Sequence, residues 1–305
     1  MIRGVDLFAG GGGTTTGATQ AGVNILWAAN HNPTAVDFFK LNHPEVNPIC
    51  QDLHQADWSL VPEHDILYAS PCCQGHSRAA GKVKKTLKAD LSRSTAWAVV
   101  SCLEVHKTPM AIIENVEDFL LWVLYPAWEA AMNALGYSLS VNLVNLAHLG
   151  GPQSRERLNI IATRSANPIE LSFPEFEMVP ASSFLDLSMD SREWDKVENR
   201  VIKTRNRVAN GRKQHGDIFL DASYGSAKGG RSIHKPLGTV TCVNKHSLVI
   251  GDNIGPITLK EGARAQTFPD DYIWPSSKTL TKNMIGNAVP PLMAREVTKA
   301  ALRAA

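Results

Sequence analysis

The stretch 2-IRGVDLFAGGGGTTTG-17 decides the fold. Its first half, 2-IRGVDLFA-9, is an apolar run of the length of one buried strand, and it breaks into four successive glycines. Four glycines let the backbone turn tightly and approach a ligand, and a helix N-terminus after them presents free N–H groups. Strand, glycine turn and helix in that order open a βαβ unit.

The rest of the first 165 residues repeats that alternation. Further apolar runs, read as buried parallel strands, are 24-NILWAA-29, 65-DILYA-69, 110-MAIIEN-115 and 157-RLNIIATR-164. Helical patterns separate them. Asn32-Pro33 supplies an N-cap and a first-turn proline for 33-PTAVDFFKLN-42, 94-STAWAVVSCLEVHK-107 stops before Pro109, and 126-PAWEAAMNALG-136 ends on glycine. The expected fold is α/β, a doubly wound, mostly parallel, Rossmann-like sheet with ligands beyond the carboxyl ends of its strands. From about residue 166 to 280 the chain is richer in Pro, Gly, Ser and charge, and its apolar runs (217-DIFLD-221, 237-LGTVTCV-243, 246-HSLVIG-251) are short. This predicts a second, smaller, irregular β-rich domain over 166–280, with 1–165 and 281–305 forming the first. The segment 290-PPLMAREVTKAALRAA-305 reads as a closing helix.

Composition sets further bounds. At 305 residues, 44% hydrophobic and 20% charged, the chain is ordinary globular material with a sizeable core. No apolar run approaches the ~20 residues of a membrane span, and MIRGVDLFAGG lacks the pattern of a signal peptide. Five cysteines, odd and few, point to free thiols in a reducing compartment. The net charge of +2 is unevenly spread. Residues 78–93 hold six Lys/Arg against one Asp, and 192–235 hold eleven Lys/Arg against five Asp/Glu. Such segments suit a polyanion, or they are solvated polar loops.

Chemistry is concentrated at the strand ends. The glycine turn is not a common phosphate loop: Thr15 or Thr16 stands at the third glycine of G-x-G-x-x-G, and Ala18 stands where the Walker spacing needs lysine. A cofactor without a terminal phosphate fits better, such as the nucleoside S-adenosylmethionine; a turn with no ligand is the alternative. Asn30 in 29-ANHN-32 and Asp52 in 51-QDL-53 suit ribose and an adenine amino group, or cap turns. In 69-ASPCCQGHSR-78 the adjacent cysteines point opposite ways on extended chain, and no paired C-x-x-C follows, which disfavours a metal. Packing and a nucleophile remain, the latter favoured by the basic run from Arg78. Glu114 follows four apolar residues, a costly place for a carboxylate unless it is paired or used; a raised pKa there would suit a general acid. In 153-QSRER-157 one arginine can bond a substrate oxygen and the other a carboxylate or phosphate, unless both form a surface strip. The turn 285-IGNAVPP-291 alone reads as a rigid loop.

Together these segments resemble the DNA cytosine-5 methyltransferase family of bacterial and phage type, and in the family's order. The likeness rests on 6-DLFAGGGG-13, 70-SPCCQGHS-77, 113-IENV-116, 150-GGPQSRER-157 and 284-MIGNAVPP-291, with weaker similarity in 260-KEGARAQTFPDDY-272. It spans the chain except about 166–230, where the family varies because that region chooses the DNA sequence. The resemblance implies a nucleophile at Cys73, before Gln74-Gly75, with Cys72 where proline is usual. It puts Glu114 on the flipped base, Arg157 near the cytosine oxygen, and Arg155 in support. It implies an S-adenosylmethionine site of Phe8, Ala9, Gly10, Gly12, Gly13, Asn30, His31, Asp52, Leu53, Pro71, Asn287, Ala288 and Val289; Asn30 replaces a commonly acidic ribose ligand. For DNA it implies Gln74, Ser77, Arg78, Lys82, Lys84 and Lys85, and Arg200, Arg205, Arg207 and Arg212 in the second domain.

The implied reaction moves a methyl group from S-adenosylmethionine to C5 of a flipped-out cytosine through a covalent Cys73 adduct, without a metal. The implied setting is a cytoplasmic, nucleoid-associated monomer on double-stranded DNA, with a cognate restriction endonuclease and no membrane. Two rival readings share the residues or the fold: a tRNA cytosine-5 methyltransferase, and a catalytically dead DNA-binding regulator. Amino-group methylation is disfavoured because no [DNS]-P-P-[YFW] occurs.

Overall fold

The computed structural model describes residues 1–72, 94–224, 227–243 and 245–305. The chain divides into two compact units: Met1–Asn145, Glu156–Pro174 and Val289–Ala305 form the first, Leu146–Arg155 and Glu175–Ala288 the second. The residues 146–155 and 281–288, assigned to the first domain on sequence, pack in the second unit, and 166–174, assigned to the second, pack in the first.

The first unit is built on seven strands, β1 (Ile2–Leu7), β2 (Val23–Asn30), β3 (Asn47–Cys50), β4 (Ile66–Ala69), β5 (Met110–Asn115), β6 (Ser138–Asn145) and β8 (Glu156–Thr163), in the order β3-β2-β1-β4-β5-β8-β6. β1 pairs parallel with β2 and β4, β2 with β3 and β4 with β5, whereas β8 runs antiparallel to both β5 and β6. The near-continuous apolar runs thus occupy a sheet covered on both faces, and only β8 departs from the expected direction. From β1 the chain winds outward to β2 and β3 on one side, then to β4 and β5 on the other. The order therefore reverses between the carboxyl ends of β1 and β4, where ligands sit in such sheets.

Helices α1 (Gly13–Gln20), α2 (Pro33–Asn42), α3 (Ala96–His106), α4 (Tyr125–Ala134) and, at the end of the chain, α8 (Pro291–Ala304) complete this unit. α2 starts as the sequence predicts: the Asn32 side chain accepts from Ala35 N–H, with Pro33 in the first turn. One face of the sheet, with Leu67, Ile113 and Ile160, packs against Val99 and Leu103 of α3 and Trp128 of α4. Trp128 is fully buried, and its indole N–H donates to the Ala96 carbonyl at 3.0 Å. On the other face Tyr68 of β4 bonds Thr298 of α8 at 3.1 Å. There α1 lies against α8 at Gly17, where an added Cβ would overlap the Pro291 carbonyl.

The second unit holds an antiparallel five-stranded sheet of β9 (Asp195–Lys196), β10 (Ile218–Ala222), β11 (Gly230–Arg231), β13 (His246–Ile250) and β14 (Asn253–Pro256), ordered β11-β10-β13-β14-β9. A two-residue pair joins β7 (Gln153–Ser154) to β12 (Leu237–Gly238). The irregular β-rich expectation omitted three helices, α5 (Ile202–His215), α6 (Leu259–Ala265) and α7 (Lys278–Asn287). α5 buries only Arg207, Val208 and Gly211, so it has no apolar stripe to announce it. It is anchored by the Arg207–Asp221 pair and by Gly211, where a Cβ would overlap the Phe219 ring.

Candidate active site

The glycine turn is built on left-handed backbone. Phe8 adopts φ 66°, Gly10 φ 52° and Gly12 φ 81°. A bulky residue at positive φ is uncommon and is tolerated where surrounding structure enforces it. The enforcement is visible: Ala9 N–H donates to Ala29 O at 2.9 Å and Gly12 N–H to Ala9 O at 2.8 Å. Gly12 is then the N-cap of α1 and has no side chain to satisfy the helix N–H groups, with buried Gly13 next. Among the described residues, a Cβ at Gly10 would meet only the Phe8 carbonyl within 4 Å.

Beneath the turn Asp6 accepts from Thr15 Oγ1 at 2.7 Å and is 1% exposed. Its Oδ1 is buried without a hydrogen-bond partner, and burial pushes the carboxyl up to about 7. Thr16 Oγ1 donates to Gly12 O at 2.8 Å and lies 3.3 Å from the buried His43 ring, which burial pushes down.

At the next strand ends both capping readings are seen. Asn30 Oδ1 accepts from Asn32 N–H at 2.9 Å, leaving its amide nitrogen for other partners. Asp52 Oδ1 accepts from His54 N–H at 3.0 Å and caps the single 3₁₀ turn at 53–55, whose Leu53 is buried. His31 is exposed beside Asn30.

After β4, Pro71 is buried and its carbonyl accepts from Asn115 Nδ2 at 3.1 Å, while Cys72 N–H donates to Thr95 Oγ1 at 3.0 Å. Asn115, at the end of β5, thus ties down the start of the cysteine segment, a contact the sequence reading missed. Cys73, Gln74, Ser77, Arg78, Lys82, Lys84 and Lys85 lie outside the described residues.

Glu114 and Arg157 come together in the first unit. Arg157 Nε lies 3.2 Å from Glu114 Oε1, with side-chain exposures of 15% and 14%. Arg155 goes elsewhere. The strand breaks between Ser154 and Glu156, so the two arginines part instead of sharing a face. Arg155, 1% exposed, donates to Val240 O at 2.9 Å, Gly286 O at 3.1 Å and Ala288 O at 3.0 Å. Its fork therefore holds the C-terminal end of α7, so the stretch read as a rigid loop begins inside a helix. There Asn287 Oδ1 accepts from the Cys242 thiol at 3.0 Å, and a Cβ at Gly286 would overlap the Thr241–Cys242 backbone. Asn287 and Ala288 belong to the second unit and Val289 to the first.

A pocket in the first unit is lined by Glu114, Asn159, Ser70, Thr14, Tyr68 and the neighbouring apolar side chains of β4, β5 and α8. The sequence reading missed Asn159. Its signal was one polar residue inside the apolar run RLNIIAT.

Among the four arginines expected on DNA, Arg207 needs correction. It is 6% exposed and makes a bidentate pair with Asp221 at 2.7 Å for both bonds, so it is a buried structural cation and is not available to a phosphate. Arg200 pairs with Asp195 at 3.3 Å, and Arg212 with Asp252 at 3.0 Å and Asp217 at 3.5 Å, all at partly exposed positions. Arg205 is exposed on α5.

Residues 2–303 match the C-5 cytosine-specific DNA methylase family. Similar curated proteins include the Type II methyltransferase M1.HphI of Haemophilus parahaemolyticus, 25% identical over 98% of this chain and 86% of that protein. Another is the Type II methyltransferase M.NlaX of Neisseria lactamica, 28% identical over 100% of this chain and 98% of that protein. Among solved structures, a Spodoptera frugiperda DNMT2 mutant superposes with a TM-score of 0.72 at 18% identity, covering 99% of this chain and 100% of that one. The Entamoeba histolytica methyltransferase EhMeth gives 0.70 at 13% identity, covering 99% and 98%. At such identities the structural likeness is one of fold.

Proposed function

The chain belongs to the C-5 cytosine-specific DNA methylase family, and from that premise we propose that it methylates cytosine C5 in duplex DNA through a covalent adduct on Cys73, with S-adenosylmethionine as donor. The observation that carries the reading is the Glu114–Arg157 pair beside the start of the cysteine segment. Bound at the turn of Phe8, Ala9, Gly10, Gly12 and Gly13, S-adenosylmethionine supplies an electrophilic methyl group. The left-handed turn, the room left over Gly10 by the described residues and the N-terminus of α1 without a side-chain cap fit such a ligand. Asn30, through its free amide nitrogen, His31, Asp52, Leu53, Pro71, Asn287, Ala288 and Val289 are the remaining proposed contacts.

The chain's own residues do the activation. Cytosine C5 is a weak nucleophile until a thiolate adds to C6 and pushes the ring electrons toward C5. Cys73 adds; Glu114, protonated, bonds N3 and takes up the charge that grows there, an acid contribution of about 10²–10⁴-fold in rate. Arg157 stabilises the base oxygen, and Arg155 holds the supporting backbone. A base removes the C5 proton and the Cys73 sulfur leaves. The target base has to leave the stack first, since none of these groups can reach it there. Lys82, Lys84, Lys85 and Arg78 then bind phosphates, Gln74 and Ser77 also contact the DNA, and the 166–280 region, through Arg205 with Arg200 and Arg212, contributes to sequence choice. A monomer and a cognate restriction endonuclease are part of the same proposal.

The test uses DNA with 5-fluorocytosine at the target, where the final proton cannot be removed. The parent and Cys72→Ala should form an SDS-resistant complex in the presence of S-adenosylmethionine, and Cys73→Ser should form none. Trapping by Cys73→Ser, or its loss in Cys72→Ala, overturns the assignment. Preferential methylation of tRNA over duplex DNA in competition would favour the RNA reading.

A further inference from the structure

β5 and β8 run antiparallel with Glu114 directly opposite Asn159, and Asn159 is in turn opposite Asn142 of β6. Residues paired this way project to the same face of a sheet with Cβ atoms about 5 Å apart. Asn159 is 2% exposed, and it lines the same pocket as Glu114. Its Nδ2 donates to the Arg157 carbonyl at 3.3 Å. A carbonyl only accepts, so this bond fixes which end of the amide is nitrogen, and Oδ1 faces away from it. Asn142 Nδ2 reaches the backbone carbonyl of Asn159 and not its side chain. No described residue donates to Asn159 Oδ1. An amide oxygen without a donor, in a buried residue opposite a carboxyl group, can take a proton donor.

We propose that Asn159 is a positioning residue that holds Glu114 in its protonated form, its Oδ1 accepting the carboxyl proton before the base arrives and opposing the carboxylate afterwards. The inference rests on the reading of Glu114 as the acid on N3. A general acid beside a guanidinium faces a conflict: Arg157, 3.2 Å from Oε1, favours the carboxylate. Asn159 supplies an opposing influence, because an acceptor-only oxygen bonds the neutral carboxyl and repels the ionised one. Among the described residues lining the pocket the other groups are neutral, while Asp6, opposite Tyr68 on β1, is a further buried carboxyl acting on that hydroxyl. From β4 come Ser70 and Tyr68, whose hydroxyl is tied to Thr298 and pushed up by burial; from α1 comes Thr14; from α8 come Ala294 and Val297. Among the described residues lining the pocket, Glu114 alone carries a carboxyl group.

The experiment is the pH dependence of single-turnover methylation for the parent, Asn159→Leu, Asn159→Asp and Glu114→Gln. The rate needs protonated Glu114, so it falls as pH rises through that group's pKa. Asn159→Leu removes the acceptor and should move this alkaline limb down by about one pH unit, with the rate on the acid side kept. Asn159→Asp keeps an acceptor and adds a shared-proton neighbour, and should move the limb up. Opposite shifts from two near-isosteric changes are not what a merely structural role gives. A limb unmoved in both variants, with the rate lowered uniformly, overturns the role of Asn159. Should Asn159→Leu fail to fold by circular dichroism, Asn159→Asp decides alone: an upward shift supports the role, and an unmoved limb overturns it. Glu114→Gln separates the two levels of the argument. It should abolish the limb; a limb that persists there removes Glu114 as the acid, and the role of Asn159 falls with it.

Discussion

Gly17 lies in α1 where that helix meets α8, and its replacement by alanine gives a prediction whose sign follows from local distances. A Cβ built there would overlap the Pro291 carbonyl oxygen and stand 2.7 Å from Ala294 Cβ and 2.8 Å from Arg295 N. Two of these are backbone atoms and the third is a methyl group rigidly attached to it, so no rotamer change relieves the clash. The helices have to part. Replacing a helical glycine by alanine is otherwise worth about 1 kcal/mol in the helix's favour. Overpacking a filled site costs about 1–3 kcal/mol, and backbone overlap belongs at the upper end. Gly17→Ala should therefore be less stable than the parent by about 1–2 kcal/mol net. Gly262, inside α6, is the control, because a Cβ there would meet only Ile285 Cγ2 at 3.8 Å, an ordinary contact. Gly262→Ala should keep the helical gain and be more stable by about 0.5–1 kcal/mol. Urea denaturation followed by tryptophan fluorescence compares the three proteins. Calorimetry with S-adenosylmethionine adds a second readout, since α1 carries Gly13 and Thr14 directly after the turn and shifts when α8 is pushed away. Weaker cofactor binding is expected for Gly17→Ala and not for Gly262→Ala. A Gly17→Ala protein as stable as its parent refutes the close-packing argument.

Arg207→Gln breaks a buried ion pair and should cost about 3–5 kcal/mol of stability, seen as an early thermal transition. Arg205→Gln, on the exposed face of α5, should leave stability unchanged and reduce the slope of log DNA affinity against log salt by about one; the reverse pattern would contradict the assignment of the two arginines. Asp6 holds its proton up to about pH 7 when folded and to about pH 3.9 when unfolded, so the stability it allows below pH 4 is lost as pH rises toward 7 and is constant above. Asp6→Asn does not titrate, so its stability relative to the parent should climb between pH 5 and 7 and then level off; a difference that is flat with pH removes Asp6 as the titrating group. Gly10→Val places a β-branched residue at φ 52° and should abolish S-adenosylmethionine binding by calorimetry with DNA affinity retained.

The parallel strands were legible because a sheet buried on both faces demands unbroken apolar runs, and β1, β2, β4 and β5 have them. β6 was not, because its SLSVNLVN lies on the sheet edge, where Val141 and Leu143 are exposed and polar residues alternate with them. α5 escaped for a related reason: its inward contacts are a glycine, a valine and an arginine, and the arginine is held by Asp221 far along the chain. Counting charge on 192–235 could not separate Arg207 from Arg205, because both are basic and only tertiary pairing buries one of them.

The site was legible as residue types and not as partners. Glu114 stood out because a carboxylate after four apolar residues needs an explanation, and Arg157 is part of that explanation at 3.2 Å. The two arginines in QSRER read as sharing one strip with divided roles, and the chain leaves the first unit after Asn145 and re-enters it at Glu156. Arg155 therefore spends its donors on the carbonyls of 240, 286 and 288, and Arg157 spends its charge on Glu114. The boundary between units also falls inside GNAV, between Ala288 and Val289. Short motifs show which residue types occur together, but they do not say which compact unit each side chain joins. For Arg155 that is the difference between touching a substrate and holding backbone carbonyls in place.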